Sequence, residues 1–165
     1  MGGRPLVGTN GAGGEIGHIL ANRQETDKCG CGKKGCLEQY ASATGIARLA
    51  RIRLAKNNDM TLLRGQEITA KAVFDALKEG DKVAEEIVEE FGAYLGYALA
   101  DVAAVIDPSM FIIGGGVSKA GPIIIQYVKK YFLEKAFFAN EGTEFIIAVL
   151  GNDAGICGAA KLILG

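Results

Sequence analysis

The sequence has little that would single out a partner or a compartment. It contains one histidine, His18, and its charges nearly cancel: 18 basic residues face 19 acidic ones, for a net charge of −1 at pH 7. That balance gives no reason to expect nucleic acid or an anionic membrane as a partner. No uninterrupted apolar run reaches the ~18 residues that a membrane span needs. The opening residues, MGGRPLVGTNG, carry no apolar signal-peptide core. There is no repeat and no obvious linker. A G-x4-G-K-[ST] phosphate loop is absent, and no G-x-G-x-x-G follows a strand. A single soluble, cytoplasmic domain is the expectation for 165 residues. Thiols stay reduced in that compartment, so clustered cysteines point to metal or catalysis rather than to disulfides.

What the chain does have is apolar residues, at 49%, and glycine, at 24 positions. The glycines gather at 8–17, 30–35, 114–116 and 151–158, where backbone must turn tightly or approach a ligand. Residues 4–8, RPLVG, read as a short strand, and Gly2-Gly3 before it as a hairpin turn. Residues 39–56 read as one helix, with Ile46, Leu49, Ile52 and Leu54 on its apolar side. Thr69 is placed to cap a helix that ends at Gly80. The strongest periodicity runs over 81–106. There Val83, Ile87, Phe91, Leu95, Leu99 and Val102 share a face of a helix roughly 39 Å long. Gly92 and Gly96 lie four apart within it, so another element should pack closely against them. Asp107-Pro108 should end it. A short buried strand running into a glycine turn over 110–116, a helix over 121–137 opened by Pro122, a strand over 143–150 and a final helix over 152–165 follow. Asn152 or Asp153 would cap that last helix, and Cys157 would be a small buried residue on it. Alternation of strand and helix predicts parallel α/β architecture.

Three of the four cysteines follow the histidine in HILANRQETDKCGCGKKGCLE, residues 18–38. Zinc takes four nitrogen and sulfur ligands in a tetrahedron. Cys29, Cys31 and Cys36, with Gly30, Gly32 and Gly35 between them, allow a tight knuckle that His18 can complete. The alternative is three reduced surface thiols beside a solvated imidazole, which would be an oxidation liability. Four protein ligands leave no open position, so such a site is structural. Glu15 and Glu38 flank it. Closure of the loop would bring the two carboxylates toward one another, and a ligated His18 would still offer one ring N–H. Carboxylates and an oriented N–H suit a polyhydroxylated molecule; the plain alternative for both residues is a solvated surface charge. Lys33 and Lys34 read as a solvated loop face.

These residues carry a resemblance. GTNGAGGEIGH followed by CGCGKKGCLE resembles the ROK family of bacterial sugar kinases and sugar-sensing repressors, whose pattern is Glu-x-Gly-His and then Cys-x-Cys-Gly-x-x-Gly-Cys-x-Glu. FIIGGGVSKAG (111–121) is similar to the family's segment near the nucleotide, and LGNDAGICGAAKL (150–162) to its C-terminal helix. EQYASATGIARLA, starting at Glu38, looks most like the family's glucokinases. The resemblance implies an α/β fold, the C-terminal lobe of the actin-like, ribonuclease-H-like ATPase with a zinc-bound loop. It implies His18, Cys29, Cys31 and Cys36 as ligands of a structural Zn2+, and Glu15, His18 and Glu38 as holders of sugar hydroxyls. Gly115, Gly116 and Ser118 would lie near the nucleotide. It implies ATP-dependent phosphorylation of glucose or a related hexose, with ATP and Mg2+ in the full-length enzyme, and a homodimer joined through this lobe.

The chain resembles only the second half of such a kinase. The family's Asp-x-Gly-Gly-Thr phosphate motif, its Asn-Asp pair with the general base, and the glycine-rich hairpin before RPLVG are missing. Asn152-Asp153 reads as a helix cap, and GGGVSKAG could equally be an ordinary strand-to-helix turn. The expectation is one C-terminal lobe over 1–165, with a zinc and sugar loop at 8–38 and an α/β nucleotide side at 81–165. No catalytic residue is expected in it, so alone it should scarcely catalyse phosphoryl transfer. The alternatives are the effector lobe of a repressor, a kinase for N-acetylmannosamine or fructose, and a purely structural zinc domain.

Overall fold

The structure, a computed structural model, describes residues 6–164, apart from the side chains of Asn152 and of 162–164. Six helices and two strands follow one another: α1 (Glu38–Ala41), α2 (Ala43–Lys56), α3 (Ala70–Lys78), α4 (Lys82–Ile106), β1 (Met110–Ile113), α5 (Ile123–Lys135), β2 (Glu144–Ile147) and α6 (Ala154–Leu164). No helix among the described residues is long and apolar enough to cross a membrane.

Helix α4 is the spine. Asp81 caps it by accepting the Ala84 N–H at 3.0 Å, and its other oxygen accepts the Thr61 hydroxyl and the Leu62 N–H. Val83, Ile87, Phe91 and Leu99 are buried on the predicted face, while Leu95 and Val102 are partly covered. Helices α2 and α3 pack on α4, and α5 lies along it as its main partner. The fit against α5 depends on glycine. A Cβ at Gly96 would stand 2.5 Å from the Val128 carbonyl oxygen and 2.8 Å from the Phe132 nitrogen. Backbone cannot yield as a side chain would, so these two helices meet main chain to main chain. Asp107 ends α4 in the left-handed region, at φ 47°, with its N–H returned to the Ala103 carbonyl.

Strands β1 and β2 pair in parallel, Phe111 opposite Phe145 and Ile113 opposite Ile147. Phe111, Phe132 and Phe145 make an aromatic cluster with centroids 5.0–5.9 Å apart under α5. This is the predicted strand-helix-strand unit with parallel pairing.

Four details differ from expectation. The helix predicted over 39–56 is two. Ser42 is extended, donates its hydroxyl to the Glu38 carbonyl at 2.6 Å and accepts the Gly45 N–H at 2.9 Å, closing α1 and capping α2. The strand predicted over 4–8 is not found: residues 6–8 form none, because the Val7 carbonyl is taken by the Gly13 N–H of the glycine loop. The rest of that segment and the Gly2-Gly3 turn lie outside the described residues. β1 is covered on one face only, with Ile112 60% exposed. A 3-10 turn, Gly151–Asp153, leads directly into α6, with Asp153 the residue ahead of its first turn. Cys157 is exposed, not buried, because α6 contacts little besides that turn.

Candidate functional site

The loop from His18 to Glu38 is built with almost no regular structure. His18 closes a 3-10 turn, Ile16–His18. Beyond it Leu20 bridges Cys36, and Lys28 bridges Lys34, both antiparallel. The Cys29 N–H reaches the Lys33 carbonyl at 2.7 Å, and the Gly32 N–H returns to the Cys29 carbonyl at 2.9 Å. The amides of Ala21 and Asn22 both donate to the Gly35 carbonyl. Gly35 has φ +73°, and a Cβ there would stand 1.9 Å from the Asn22 carbonyl oxygen, so no side chain fits. The backbone thereby lays the His18 side of the loop against the Cys36 side.

That folding brings the donor atoms of His18, Cys29, Cys31 and Cys36 within 4.8 Å of one another. The Cys29 sulfur is 3.7 Å from His18 Nδ1, and the sulfurs of Cys31 and Cys36 are 3.6 Å apart. Thiolates at about 2.3 Å from a tetrahedral zinc would be about 3.7 Å apart. Three sulfurs and one imidazole at that spacing fit zinc in both donor chemistry and size.

The electrostatics of the thiols are set by their neighbours. Cys29 donates to Glu38 Oε1 at 2.7 Å, and that carboxylate pushes its thiol up to about 12. The Lys33 backbone N–H lowers Cys31, whereas burial raises Cys36. A bound cation would favour every thiolate at once and so oppose the upward push on Cys29 and Cys36.

Both predicted carboxylates converge on the imidazole. Glu15 Oε2 lies 3.9 Å from His18 Nε2, and Glu38 Oε1 lies 3.8 Å from His18 Nδ1. All three side chains reach solvent. A hollow of ≈ 410 Å³ opens beside Glu38, between the cysteine loop and the start of α2, and Thr44 and Arg48 line it. Lys33 and Lys34 are exposed on the far side, as predicted.

The glycine turn after β1 lies elsewhere. Gly115 has φ 73°, and the buried Ser118 donates its hydroxyl to the Gly115 carbonyl at 2.7 Å, bracing the turn from within. Gly116 opens onto a cavity of ≈ 130 Å³ against α3, lined by Phe74, Ala70, Val117, Lys71 and Lys78. Asp75 also lines it and pairs with both Lys71 and Lys78.

Sequence reasoning missed the polar cluster beneath the cysteine loop. The Glu25 carboxylate accepts the Tyr40 hydroxyl, Arg48 Nη2 at 2.8 Å and the backbone amides of Thr26 and Asp27 at 2.9 Å. Burial alone would raise its pKa, but Tyr40, the Asp27 amide and Arg48 outweigh that and hold it at about 2. Gln39, also buried, accepts the Cys36 N–H at 3.1 Å and donates to the Asp27 carbonyl at 3.1 Å. The partners lie up to 23 residues apart, and no local spacing signals them.

Residues 1–165 match the ROK family over their whole length. A glucokinase of Halalkalibacterium halodurans is 42% identical over 98% of the chain and 50% of its own length. An N-acetylmannosamine kinase of Escherichia coli O7:K1 is 33% identical over 99% of the chain and 51% of its own length. The crystal structure of a Streptomyces griseus ROK glucokinase with glucose and AMPPNP superposes with TM-score 0.81 at 36% identity, over 92% of this chain and 51% of that one. A ROK transcriptional regulator, a homologue of E. coli MLC, superposes with TM-score 0.70 at 27% identity, over 80% of this chain and 33% of that one. The chain thus spans about half the length of the curated relatives it matches. The chain belongs to the ROK family and shares the actin-like ATPase fold of its sugar kinases.

Proposed function

We propose that this chain is the sugar-binding lobe of an ATP-dependent hexose kinase that acts on glucose. One observation carries the reading: Glu15 and Glu38 meet on either side of His18, at the solvent edge of a four-donor cluster. Each carboxylate can accept hydrogen bonds from neighbouring sugar hydroxyls, and the imidazole can add an oriented N–H. His18, Cys29, Cys31 and Cys36 would hold Zn2+, whose four protein ligands leave no position for water or substrate. Its contribution is structural: it ties the imidazole to the loop that carries Glu38. The similarity to glucokinases, one of them solved with glucose and an ATP analogue, supports glucose and ATP as substrates.

Phosphoryl transfer depends mainly on positioning and on neutralising charge around phosphate and Mg2+. In this reading Gly115, Gly116 and the cavity against α3 face the nucleotide, with Ser118 bracing the turn. The base that takes the hydroxyl proton belongs to the remainder of the protein, so these 165 residues alone are inactive. That remainder would cover the open face of β1, and two copies would pair through this lobe as a homodimer.

The test is a coupled assay for glucose 6-phosphate on the full-length protein, with N-acetylmannosamine and fructose as competitors. Glu38→Gln should lower kcat/KM for glucose by at least 100-fold; unchanged turnover would refute the sugar assignment. The similarity to the MLC homologue favours a second reading, a sugar-sensing effector lobe. Glucose binding with no phosphorylation by the full-length protein would select it.

A further inference from the structure

Gln39 stands between the two halves of the cysteine loop, and both of its side-chain hydrogen bonds go to backbone. Its amide oxygen accepts the backbone N–H of Cys36, and its amide nitrogen donates to the carbonyl of Asp27, two residues before Cys29. It follows Glu38 directly, so the same turn of α1 aims the carboxylate and spans the loop. The far anchor of that span is itself fixed. Asp27 lies in the segment that Glu25 holds through Tyr40 and Arg48, and Arg48 also donates to the Asp27 carboxylate at 2.8 Å. Tyr40 is locked in turn, by a ring stack on Tyr94 with centroids 4.0 Å apart and by the Asn22 amide. Every polar atom of the Gln39 amide that the loop can use is used, and the residue is 9% exposed.

Resting on the metal reading above, we infer that Gln39 is a positioning residue, anchored by the Glu25–Tyr40–Arg48 cluster, that sets the separation of Cys29 and Cys36 and so tunes metal affinity and the placement of Glu38. A metal ligand held by backbone alone would drift as the loop breathes. A buried amide bridging both sides holds the sulfurs at metal spacing before the ion arrives, which lowers the ordering cost of binding. Partners that orient metal ligands from outside the ligand set typically change affinity by about 10–100-fold when removed.

The experiment is zinc competition against a chromogenic chelator on the full-length protein, for wild type, Gln39→Met, Gln39→Glu and Tyr40→Phe. Gln39→Met keeps the volume and loses both hydrogen bonds; it should weaken zinc by about 10–100-fold. Gln39→Glu keeps the acceptor for the Cys36 N–H and should fall in between. Tyr40→Phe keeps the ring stack, removes one of the hydrogen bonds on Glu25 and should weaken zinc less than Gln39→Met. Cobalt substitution adds a readout that a purely structural role would not move: the thiolate-to-cobalt bands should shift in Gln39→Met. The KM for hexose should rise more than kcat falls. Wild-type zinc affinity and cobalt spectrum in a folded Gln39→Met protein would overturn the inference. Should Gln39→Met not fold, unchanged affinity in both Gln39→Glu and Tyr40→Phe would overturn it. Wild-type protein that takes up no zinc would sink the metal reading itself, and this inference with it.

Discussion

The cysteine loop and the β1–β2–α6 side of the molecule are held by opposite means. Between residues 18 and 38 there is little core: only Cys29, Cys36 and Leu37 are buried apolar residues there. Order comes from backbone hydrogen bonds, two isolated bridges and a buried polar cluster. On the other side the elements are regular and apolar, yet Ile112, Val149, Leu150 and Ile156 are all more than half exposed. The first region has its partners within the chain. The second leaves apolar side chains exposed to solvent. A short apolar run can therefore be less self-sufficient than a polar loop tied to partners within its own chain.

The largest break in that comparison removes a ligand. Cys31→Ala should abolish zinc uptake, read by elemental analysis of the purified protein, and weaken hexose binding because His18 and Glu38 lose their shared anchor. Structural zinc sites of this kind contribute about 10–16 kcal/mol of apparent binding free energy, so the loop should become the first part of the chain cut by protease.

Next in size is Glu25→Gln, read as stability against pH. The native carboxyl sits at about 2 against an ordinary value of 4.5. Its pKa is lowered on folding, so its contribution is complete above about pH 4.5 and is lost as pH falls toward 2. At neutral pH that contribution is about 3 kcal/mol by linkage. The variant should be less stable at pH 7, and the gap from wild type should close between those two values. A constant gap would show that the carboxylate charge is not what holds the segment.

The core offers a third contrast. Gly96→Ala should destabilise the protein by about 1–3 kcal/mol in thermal unfolding, despite the better helix propensity of alanine, because the new methyl meets α5 backbone. A rise in Tm would mean that α4 and α5 separate more easily than their packing indicates.

The smallest effect sharpens the comparison most. Ile112→Thr, on the open face of β1, should change the stability of these 165 residues by no more than about 0.5 kcal/mol. In the full-length protein the same change should cost more than about 1 kcal/mol if further chain covers that face. Equal effects in both would leave the patch without that partner.

Legibility in the sequence followed the range of the interactions. The α4 spine was legible because 3.6-residue spacing of Val83, Ile87, Phe91 and Leu99 is a local signal. The close approach at Gly92 and Gly96 was legible for the same reason, although not that α5 is what approaches. The parallel pairing of β1 with β2 followed from strand-helix-strand order. Ser42 was lost inside an apparent single helix because its side chain competes with the backbone for hydrogen bonds that spacing does not show. Cys157 was misplaced because apolar composition says a residue prefers burial, not that a neighbour exists to bury it. Glu25, Gln39, Tyr40 and Arg48 were silent, since their meeting depends on where α1 and α2 turn.

By itself the sequence determined the donor set: one histidine, three cysteines and two carboxylates, at a spacing that glycine lets the chain close. It also determined the α4 spine, because that rests on contacts within a few residues, and the strand-helix-strand order from which parallel pairing follows. Only the tertiary structure decided how the donors meet. Carboxylates from positions 15 and 38 stand on opposite sides of one imidazole because Gly35 lets backbone lie where a Cβ would collide. The loop beneath them is held by residues chosen for a partner far along the chain, and such choices leave no periodicity to read.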